Sequence, residues 1–124
     1  MKTVLIVDDS SYTRKIIKLA LSKAGYEIIG EAETGEEAID KAIELDPDII
    51  TLDNILPDML GLDILRILKE DEGLKAGVVM ISAIGQQSAV KEGIGLGAEK
   101  YIVKPFTPSD VVDAVNAFAA KVAV

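Results

Sequence analysis

Short apolar runs alternate along the chain with longer stretches in which apolar residues recur every three to four positions. The short runs are rich in valine, isoleucine and leucine and are bounded by polar residues. This pattern is typical of strands that are buried on both faces of a parallel sheet. It predicts five strands, at Val4–Val7, Tyr26–Ala32, Asp48–Asp53, Val78–Ser82 and Lys100–Lys104.

The stretches between these runs have the spacing of helices that bury one face. They predict five helices, over Ser10–Ala24, Thr34 to about Leu45, about Leu62–Asp71, about Gln86–Leu96 and from Pro108 onward. Strands and helices that alternate with short loops form successive βα units. The predicted fold class is therefore α/β, a doubly wound (βα)5 three-layer sandwich around one parallel sheet.

Several predicted helices have recognisable ends. Thr34 and Glu37 form a capping box, in which a hydroxyl and a carboxylate satisfy free backbone N–H groups. Pro47 prevents that helix from continuing, and Pro108 occupies the favoured first position of the last helix. The buried stripe of that last helix is predicted to comprise Val111, Val115, Phe118 and Val122.

Length and composition narrow the function classes. The 124 residues suit one domain with a single core, and we expect residues 1–124 to form that domain without an attached second one. The absence of cysteine and histidine excludes disulfides, thiolate or imidazole metal sites and histidine acid/base chemistry. The net charge of −8 disfavours nucleic acid and anionic membranes as partners. With no apolar stretch long enough for a signal peptide or a membrane span, we expect a cytoplasmic protein.

The apolar runs of four predicted strands each end on reactive polar residues: Asp8 and Asp9, Asp53, Ser82 and Lys104. The carboxyl ends of parallel strands form the ligand crevice of an open α/β sheet, so we expect these side chains to meet at one edge. Three carboxylates, a hydroxyl and an ammonium are the groups of a Mg²⁺ site, or a Mn²⁺ site, beside a phosphoryl acceptor. Neighbouring acids repel one another, so at least one of their pKa values should be raised.

Each of these residues alone has a simpler interpretation. Asp8 and Asp9 are also common caps of a following helix, and Ser82 is a common turn residue. Lys104 would be an ordinary charge at a strand end. The combination favours a site, because Lys104 is the cation placed to offset three acids.

The same segments resemble the receiver domain of two-component response regulators, and most closely its stand-alone, CheY-like members. The resemblance rests on V-L-I-V-D-D, L-D-N-I-L-P-D-M-L-G, S-A and K-P-F, which follow one another at strand ends, and covers the whole chain. The runs Asp9–Tyr12 and Gly85–Gln87 strengthen it. The family implies a flavodoxin-like sheet with strand order 2-1-3-4-5 and no output domain here. It also implies a cis Lys104-Pro105 bond, where the sequence alone permits either isomer.

The resemblance assigns roles to the acids. Asp53 accepts a phosphoryl group from a sensor histidine kinase. Asp9 and Asp53 bind Mg²⁺ directly, together with the backbone carbonyl of Ile55, and Asp8 acts through metal-bound water.

The resemblance also assigns the residues that respond to phosphorylation. Ser82 and Lys104 bind the phosphoryl oxygens, and Tyr101 changes rotamer on activation. In the family, the side chains at the positions of Ile55 and Ile84 flank the phosphoryl group and orient or block the hydrolytic water. Neither isoleucine forms a hydrogen bond to water, so we expect slow self-dephosphorylation.

Two glycines and a leucine depart from the family pattern. Gly93 and Gly95 lie in the predicted fourth helix, and each costs roughly 1 kcal/mol relative to alanine. We therefore expect the C-terminal half of that helix to fray and to become ordered on phosphorylation or partner binding. Leu60 replaces a residue that is usually polar, for which we expect only a local adjustment of the loop.

The implied function is a phosphorylation-activated switch, monomeric, that remodels its helix 4, strand 5 and helix 5 surface to bind a partner. The flagellar motor switch of chemotaxis is the favoured partner, and the only reactions catalysed are its own phosphorylation and dephosphorylation. A phosphorelay shuttle, a receiver excised from a larger regulator and a non-phosphorylated binding module remain alternatives. A haloacid dehalogenase-type phosphatase is a remote one, since it needs a second aspartate where this chain has Ile55.

Overall fold

The computed structural model describes the backbone of residues 2–122 and the side chains of residues 2–120. In this part of the chain, five strands and five α-helices alternate. The strands are β1 Thr3–Val7, β2 Glu27–Ala32, β3 Ile49–Leu52, β4 Gly77–Ser82 and β5 Ala98–Val103. The helices are α1 Ser11–Lys23, α2 Gly35–Leu45, α3 Gly61–Arg66, α4 Gln87–Gly95 and α5 Pro108–Val122. The predicted α/β fold class is thus confirmed.

All five strands are parallel and lie in the order β2-β1-β3-β4-β5, as predicted. The register brings the strand ends level, because Val7 pairs with Leu52 and Leu52 with Met80. Further along the sheet, Ser82 pairs with Val103. The residues that follow β1, β3 and β5 therefore emerge at the same edge of the sheet as the end of β4.

The core has two halves, one on each face of the sheet. Alternate residues of the central strands point to opposite faces, so β1, β3 and β4 contribute to both halves. One half packs under α2 and α3, with Leu5, Val7, Ile50, Leu52, Met80, Ile64 and Leu65 among its members. The other packs under α1 and α5, with Val4, Ile6, Val79, Ile81, Ile17 and Leu21 among its members.

The predicted buried stripe of the last helix is present in the second half of the core. Val111, Val115 and Phe118 of α5 are buried there. The side chain of Val122, the fourth predicted member, lies outside the described residues. Among the helices of residues 2–122, none combines the length and the apolar composition that crossing a bilayer requires.

The start of α2 differs from a simple capping box. The Thr34 hydroxyl accepts from the Glu37 N–H at 3.1 Å, as predicted. The Glu37 carboxylate, however, accepts from the N–H of Glu33 at 2.9 Å, outside the helix. Two free N–H groups of the first turn donate instead to the carboxylate of Asp58, at 2.7 and 3.0 Å. Asp58 comes from the loop after β3, so this cap joins two loops at the site edge.

The third helix is shorter than the predicted Leu62–Asp71. It changes after Arg66 into a π-helical turn, Ile67–Asp71, in which the N–H of Glu72 donates to the carbonyl of Ile67 five residues earlier. The Lys69 ammonium donates to the carbonyl of Ala76 beyond the turn. This tertiary contact holds the last turn in a geometry that apolar spacing does not reveal.

Candidate functional site

Three aspartates meet at the carboxyl edge of the sheet. Asp8 and Asp9 follow β1, Asp53 follows β3, and one carboxylate oxygen of each lies within 4.8 Å of the other two. Asp8 and Asp53 are only 1% and 6% exposed, whereas Asp9 is open to solvent. The structure therefore brings together the acids that the sequence placed at two strand ends.

Hydrogen bonds to neighbouring strands fix the backbone of the two buried acids. The Asp8 N–H donates to the carbonyl of Ala32 on β2, and the Asp53 N–H donates to the carbonyl of Val7 on β1, both at 3.0 Å. The ladder thus continues one residue beyond each strand. Because the backbone is held, each carboxylate leaves the sheet in a defined direction.

Lys104 bridges the two buried acids from the end of β5. Its Nζ donates to Asp8 Oδ2 at 3.0 Å and to Asp53 Oδ2 at 3.2 Å. Its own N–H donates to the carbonyl of Ser82 at 2.8 Å, and its bond to Pro105 is cis. One ammonium therefore offsets two buried negative charges directly.

The electrostatics of the cluster shift two pKa values. Burial is the largest cause of the raised pKa of Asp53, and the charge of Asp8 raises it further, against the opposing effects of the Ile55 N–H and Lys104. Burial alone would lower the pKa of Lys104, but its contacts with both aspartates outweigh burial and raise it. A raised pKa among the crowded acids was expected from the sequence.

A chain of hydrogen bonds runs from Ser82 to Tyr101. The buried Ser82 hydroxyl accepts from the N–H of Ile84 at 3.2 Å. The carbonyl of the same Ile84 accepts from the Tyr101 hydroxyl at 2.8 Å. The Tyr101 ring is half-buried against the core and lies under α4, where a Cβ on Gly93 would be 3.1 Å from it. A displacement of Ser82 would therefore reach Tyr101 through two hydrogen bonds and α4 through the packing of the Tyr101 ring.

The two predicted hydrolysis-tuning residues lie in different loops at the carboxyl edge of the sheet. Ile55, in the loop after β3, is 51% exposed and forms an isolated antiparallel bridge with Leu60. The Ile55 N–H donates to Asp53 Oδ1 at 3.2 Å, so this residue is adjacent to the acid. Ile84 lies in the loop after β4, two residues from Ser82. Ile55 is thus an exposed apolar residue next to Asp53, and Ile84 is an apolar residue whose N–H contacts Ser82.

The donor set fits a Mg²⁺ ion. Mg²⁺ prefers one or a few carboxylates and completes its shell with water and phosphate oxygens. Asp8, Asp9 and Asp53 supply the carboxylates, and the exposed position of Asp9 leaves the cluster open to solvent. With Lys104, the three acids carry a charge of −2, which a divalent cation neutralises.

Comparison with known families identifies the family of this chain. Residues 4–116 match the model of the response regulator receiver domain. The chain belongs to the response regulator receiver family. Its receiver fold is of the CheY type, a class of signalling domain that is activated by phosphorylation.

Relatives of this receiver include chemotaxis proteins from distant bacteria. It is 49% identical over 116 residues to the chemotaxis protein CheY of Thermotoga maritima, covering 93% of this chain and 95% of the relative. It is 42% identical over 113 residues to CheY of Bacillus subtilis, covering 91% and 93%. Among solved structures, CheY in the CheX–CheY–BeF3–Mg²⁺ complex of Borrelia burgdorferi has a TM-score of 0.89 at 38% identity, over 94% of this chain and 88% of that one.

Asn54 is a residue of the receiver site that the sequence analysis missed. Its backbone carbonyl accepts from the Gly61 N–H at 2.7 Å, and its side chain accepts from the Leu62 N–H at 3.0 Å. It therefore closes the loop after β3 onto α3. A Cβ on Gly61 would lie 2.3 Å from the carbonyl oxygen of Asp53, so this close approach requires glycine. The sequence did offer a sign of this role, because Asn54 is a polar residue between Asp53 and the loop glycine Gly61.

Arg14 is the second residue that the sequence analysis missed. It lies on α1, and its guanidinium donates to the backbone carbonyl of Asp8 at 2.6 Å and to the carboxylate of Glu31 on β2 at 3.1 Å. Lys104 is therefore not the only cation beside the acids. The sequence did offer a sign of this role. Arg14 lies one helical turn after the cap Ser10, on the side of α1 that is next to Asp8 and Asp9.

Proposed function

We propose that this receiver is a phosphorylation-activated switch of two-component signalling, in which Asp53 accepts a phosphoryl group from the phosphohistidine of a sensor histidine kinase. The observation that carries the proposal is the placement of Asp53. Its carboxylate is buried, lies within reach of two further acids, and is held by Lys104 at one oxygen and by the Ile55 N–H at the other.

The proposed reaction joins a carboxylate oxygen of Asp53 to phosphorus while the bond between phosphorus and the histidine nitrogen breaks. The imidazole leaves with the electron pair and takes a proton from solvent. The chain's own contribution is to position the acceptor, and the contact with Lys104 favours its ionised form against burial and the charge of Asp8. Asp9, Asp53 and the Ile55 carbonyl would hold Mg²⁺, with Asp8 acting through metal-bound water, and the ion would supply charge that offsets the acids and the phosphoryl oxygens.

At Asp53, a phosphoryl group with a charge of about −1.5 to −2 replaces the single negative charge of the ionised carboxylate. Lys104 and the Ser82 hydroxyl are the donors that we assign to its oxygens. Ser82 is already joined to Tyr101 through the backbone of Ile84, so its movement pulls on the tyrosine. A phosphoryl group that interacts better with one arrangement of this chain than with the other shifts the population toward it. The surface of α4, β5 and α5 changes with Tyr101.

The relatives support chemotaxis as the setting. Two relatives that are 49% and 42% identical over more than nine-tenths of the chain are chemotaxis proteins. We therefore place the flagellar motor switch as the favoured downstream partner of a monomeric receiver, with no reaction on a separate substrate. A phosphorelay shuttle, or a receiver cut from a larger regulator, is the alternative that shares the same chemistry.

Partner capture tests this assignment. The protein, loaded with Mg²⁺ and beryllofluoride as a phosphoryl mimic, is presented with a flagellar switch protein and with a histidine phosphotransfer domain. We expect binding to the switch protein only when both ions are present, and none for Asp53→Asn. Preference for the phosphotransfer domain would favour the shuttle. Binding that ignores both ions and the substitution would favour a non-phosphorylated binding module.

A further inference from the structure

Arg14 connects the turn after β1 to the neighbouring strand β2. Its Nη1 donates to the carbonyl oxygen of Asp8 at 2.6 Å, and its Nε donates to Glu31 Oε1 at 3.1 Å. The side chain of Arg14 is only 15% exposed. Lys18 lies 3.5 Å from the other carboxylate oxygen of Glu31, so this acid is itself held in place.

The carbonyl that Arg14 holds belongs to the peptide between Asp8 and Asp9. A peptide is planar, so fixing its oxygen also fixes the direction in which the chain reaches the Asp9 Cα. Other contacts hold the Asp8 carboxylate, since Oδ1 accepts from the Ser10 N–H at 2.9 Å and Oδ2 from Lys104. Within residues 2–120, no hydrogen bond holds the Asp9 carboxylate, so the backbone sets its position.

We infer that Arg14 is a positioning residue of the metal site, one that holds the Asp8–Asp9 peptide so that both carboxylates face Asp53. This inference rests on the proposed Mg²⁺ dependence. The planar guanidinium suits the task, because it offers N–H groups in different directions to a backbone carbonyl and to Glu31 at once. A lysine in the same place has one nitrogen for both acceptors.

The direction in which Mg²⁺ affinity changes when Arg14 is replaced distinguishes a positioning role from an effect of its charge. Arg14 is a cation near acids that are to bind another cation, so its charge alone opposes Mg²⁺ binding. If charge were its only influence, removing it would make Mg²⁺ bind more tightly. If Arg14 positions the acids, removing it makes Mg²⁺ bind more weakly, as the loss of supporting contacts behind metal ligands does in other sites.

Calorimetric titration of the metal-free full chain with MgCl2 tests this directly. We expect Arg14→Met to weaken Mg²⁺ binding by about tenfold, the low end of the range for such supporting contacts. Lys18→Met is the matched control, because it removes a cation near Glu31 that makes no contact with Asp8. The Mg²⁺ affinity of Lys18→Met should equal that of the wild type or exceed it. An Arg14→Met affinity equal to or above that of the wild type would overturn the inference.

Further variants keep the test sharp. Arg14→Lys should fail to restore Mg²⁺ affinity, and full rescue would mean that one ammonium donor holds the Asp8 carbonyl well enough, which would overturn the role given to the guanidinium. If Arg14→Met does not fold by circular dichroism, Glu31→Gln replaces it, with Glu33→Gln as a control that loses the same charge without contacting Arg14. Glu31→Gln should weaken binding more than Glu33→Gln does, and equal losses would overturn the inference. A wild-type chain that binds no Mg²⁺ would overturn the proposed metal dependence as well, which distinguishes the two failures.

Discussion

Two opposing sets of contacts act on the Asp53 carboxyl: one favours its neutral form and the other favours its ionised form. Burial and the nearby Asp8 raise its pKa, while Lys104 and the Ile55 N–H favour the ionised form. In the metal-free protein the ionised form of Asp53 is therefore destabilised, and a bound cation would stabilise it. We expect neighbouring side chains to set the lifetime of a phosphoryl group on Asp53, and the two assigned to this role, Ile55 and Ile84, are apolar.

The double variant Ile55→Asn with Ile84→Glu should lose its phosphoryl group faster than the wild type. The two new side chains can accept hydrogen bonds from a water and aim it at phosphorus, whereas the isoleucines cannot. We expect acceleration by about tenfold or more, within the range of general acid–base effects. Decay of the phosphorylated protein in Mg²⁺ is followed by intact mass. A rate close to that of the wild type would rule out this explanation of a slow reaction.

Thr51 has a buried hydroxyl without a hydrogen-bond partner among the described residues. Replacing it by the isosteric valine removes that unsatisfied group, so Thr51→Val should raise the free energy of unfolding by about 1 kcal/mol. Urea unfolding in EDTA measures the change. Thr3→Val is the control, because the Thr3 hydroxyl is paired with Asp48 and its removal should destabilise. Loss of stability in Thr51→Val would contradict this account.

At the scale of elements, the alternation of strands and helices was readable because each buried strand is a continuous apolar run. The ends of some elements could not be predicted in this way, because they depend on residues that are distant in the sequence. Asp58 caps α2 from the loop after β3, and Lys69 donates beyond the π-helical turn after α3. Arg14 and Asn54 were missed for the same reason, since their partners are backbone groups that only the folded chain brings near. Sequence motifs locate reactive side chains better than the contacts that aim them.

Gly93 and Gly95 in α4 provide a matched pair. Alanine at either position favours the helix by roughly 1 kcal/mol. A Cβ at Gly95 meets nothing within 4 Å, whereas one at Gly93 would lie 3.1 Å from the Tyr101 ring. Gly95→Ala should therefore stabilise the protein, and Gly93→Ala should gain less and alter tyrosine fluorescence.

Unfolding curves and emission spectra of the two variants check this contrast, and indistinguishable behaviour would remove Gly93 from the contact with Tyr101. The structure has α4 helical through Gly95. The expected fraying of its C-terminal half concerns its stability and stays a prediction. Hydrogen exchange across residues 90–97 that is slow without metal or phosphoryl group would contradict it.

At the scale of the whole molecule, the acid cluster links folding to pH and to metal. The folded pKa of Asp53 lies above its usual value of 3.8, so the native state binds a proton more tightly than the unfolded state does. Stability therefore falls as pH rises from that usual value through the folded pKa, and the loss is complete above it. If Mg²⁺ binds the native state at this cluster, as we propose, it should restore stability.

Asp53→Asn removes this penalty. In EDTA at neutral pH its melting temperature should exceed that of the wild type, and the difference should shrink as the pH falls toward the usual aspartate pKa. Added MgCl2 should raise the melting temperature of the wild type more than that of the variant. Thermal unfolding followed by circular dichroism measures all of these. A variant that melts below the wild type in EDTA would show that the Lys104 contact outweighs burial.

The most direct measurement of the central claim is intact mass after incubation with acetyl phosphate, with Mg²⁺ or with EDTA, beside Asp53→Asn. Acetyl phosphate replaces the kinase, so only the chemistry of this site is tested. A single phosphoryl adduct that requires both Mg²⁺ and Asp53 is the predicted result. An adduct that forms equally on Asp53→Asn, or no adduct from a protein that binds Mg²⁺, would contradict the assignment of Asp53 as the phosphoryl acceptor.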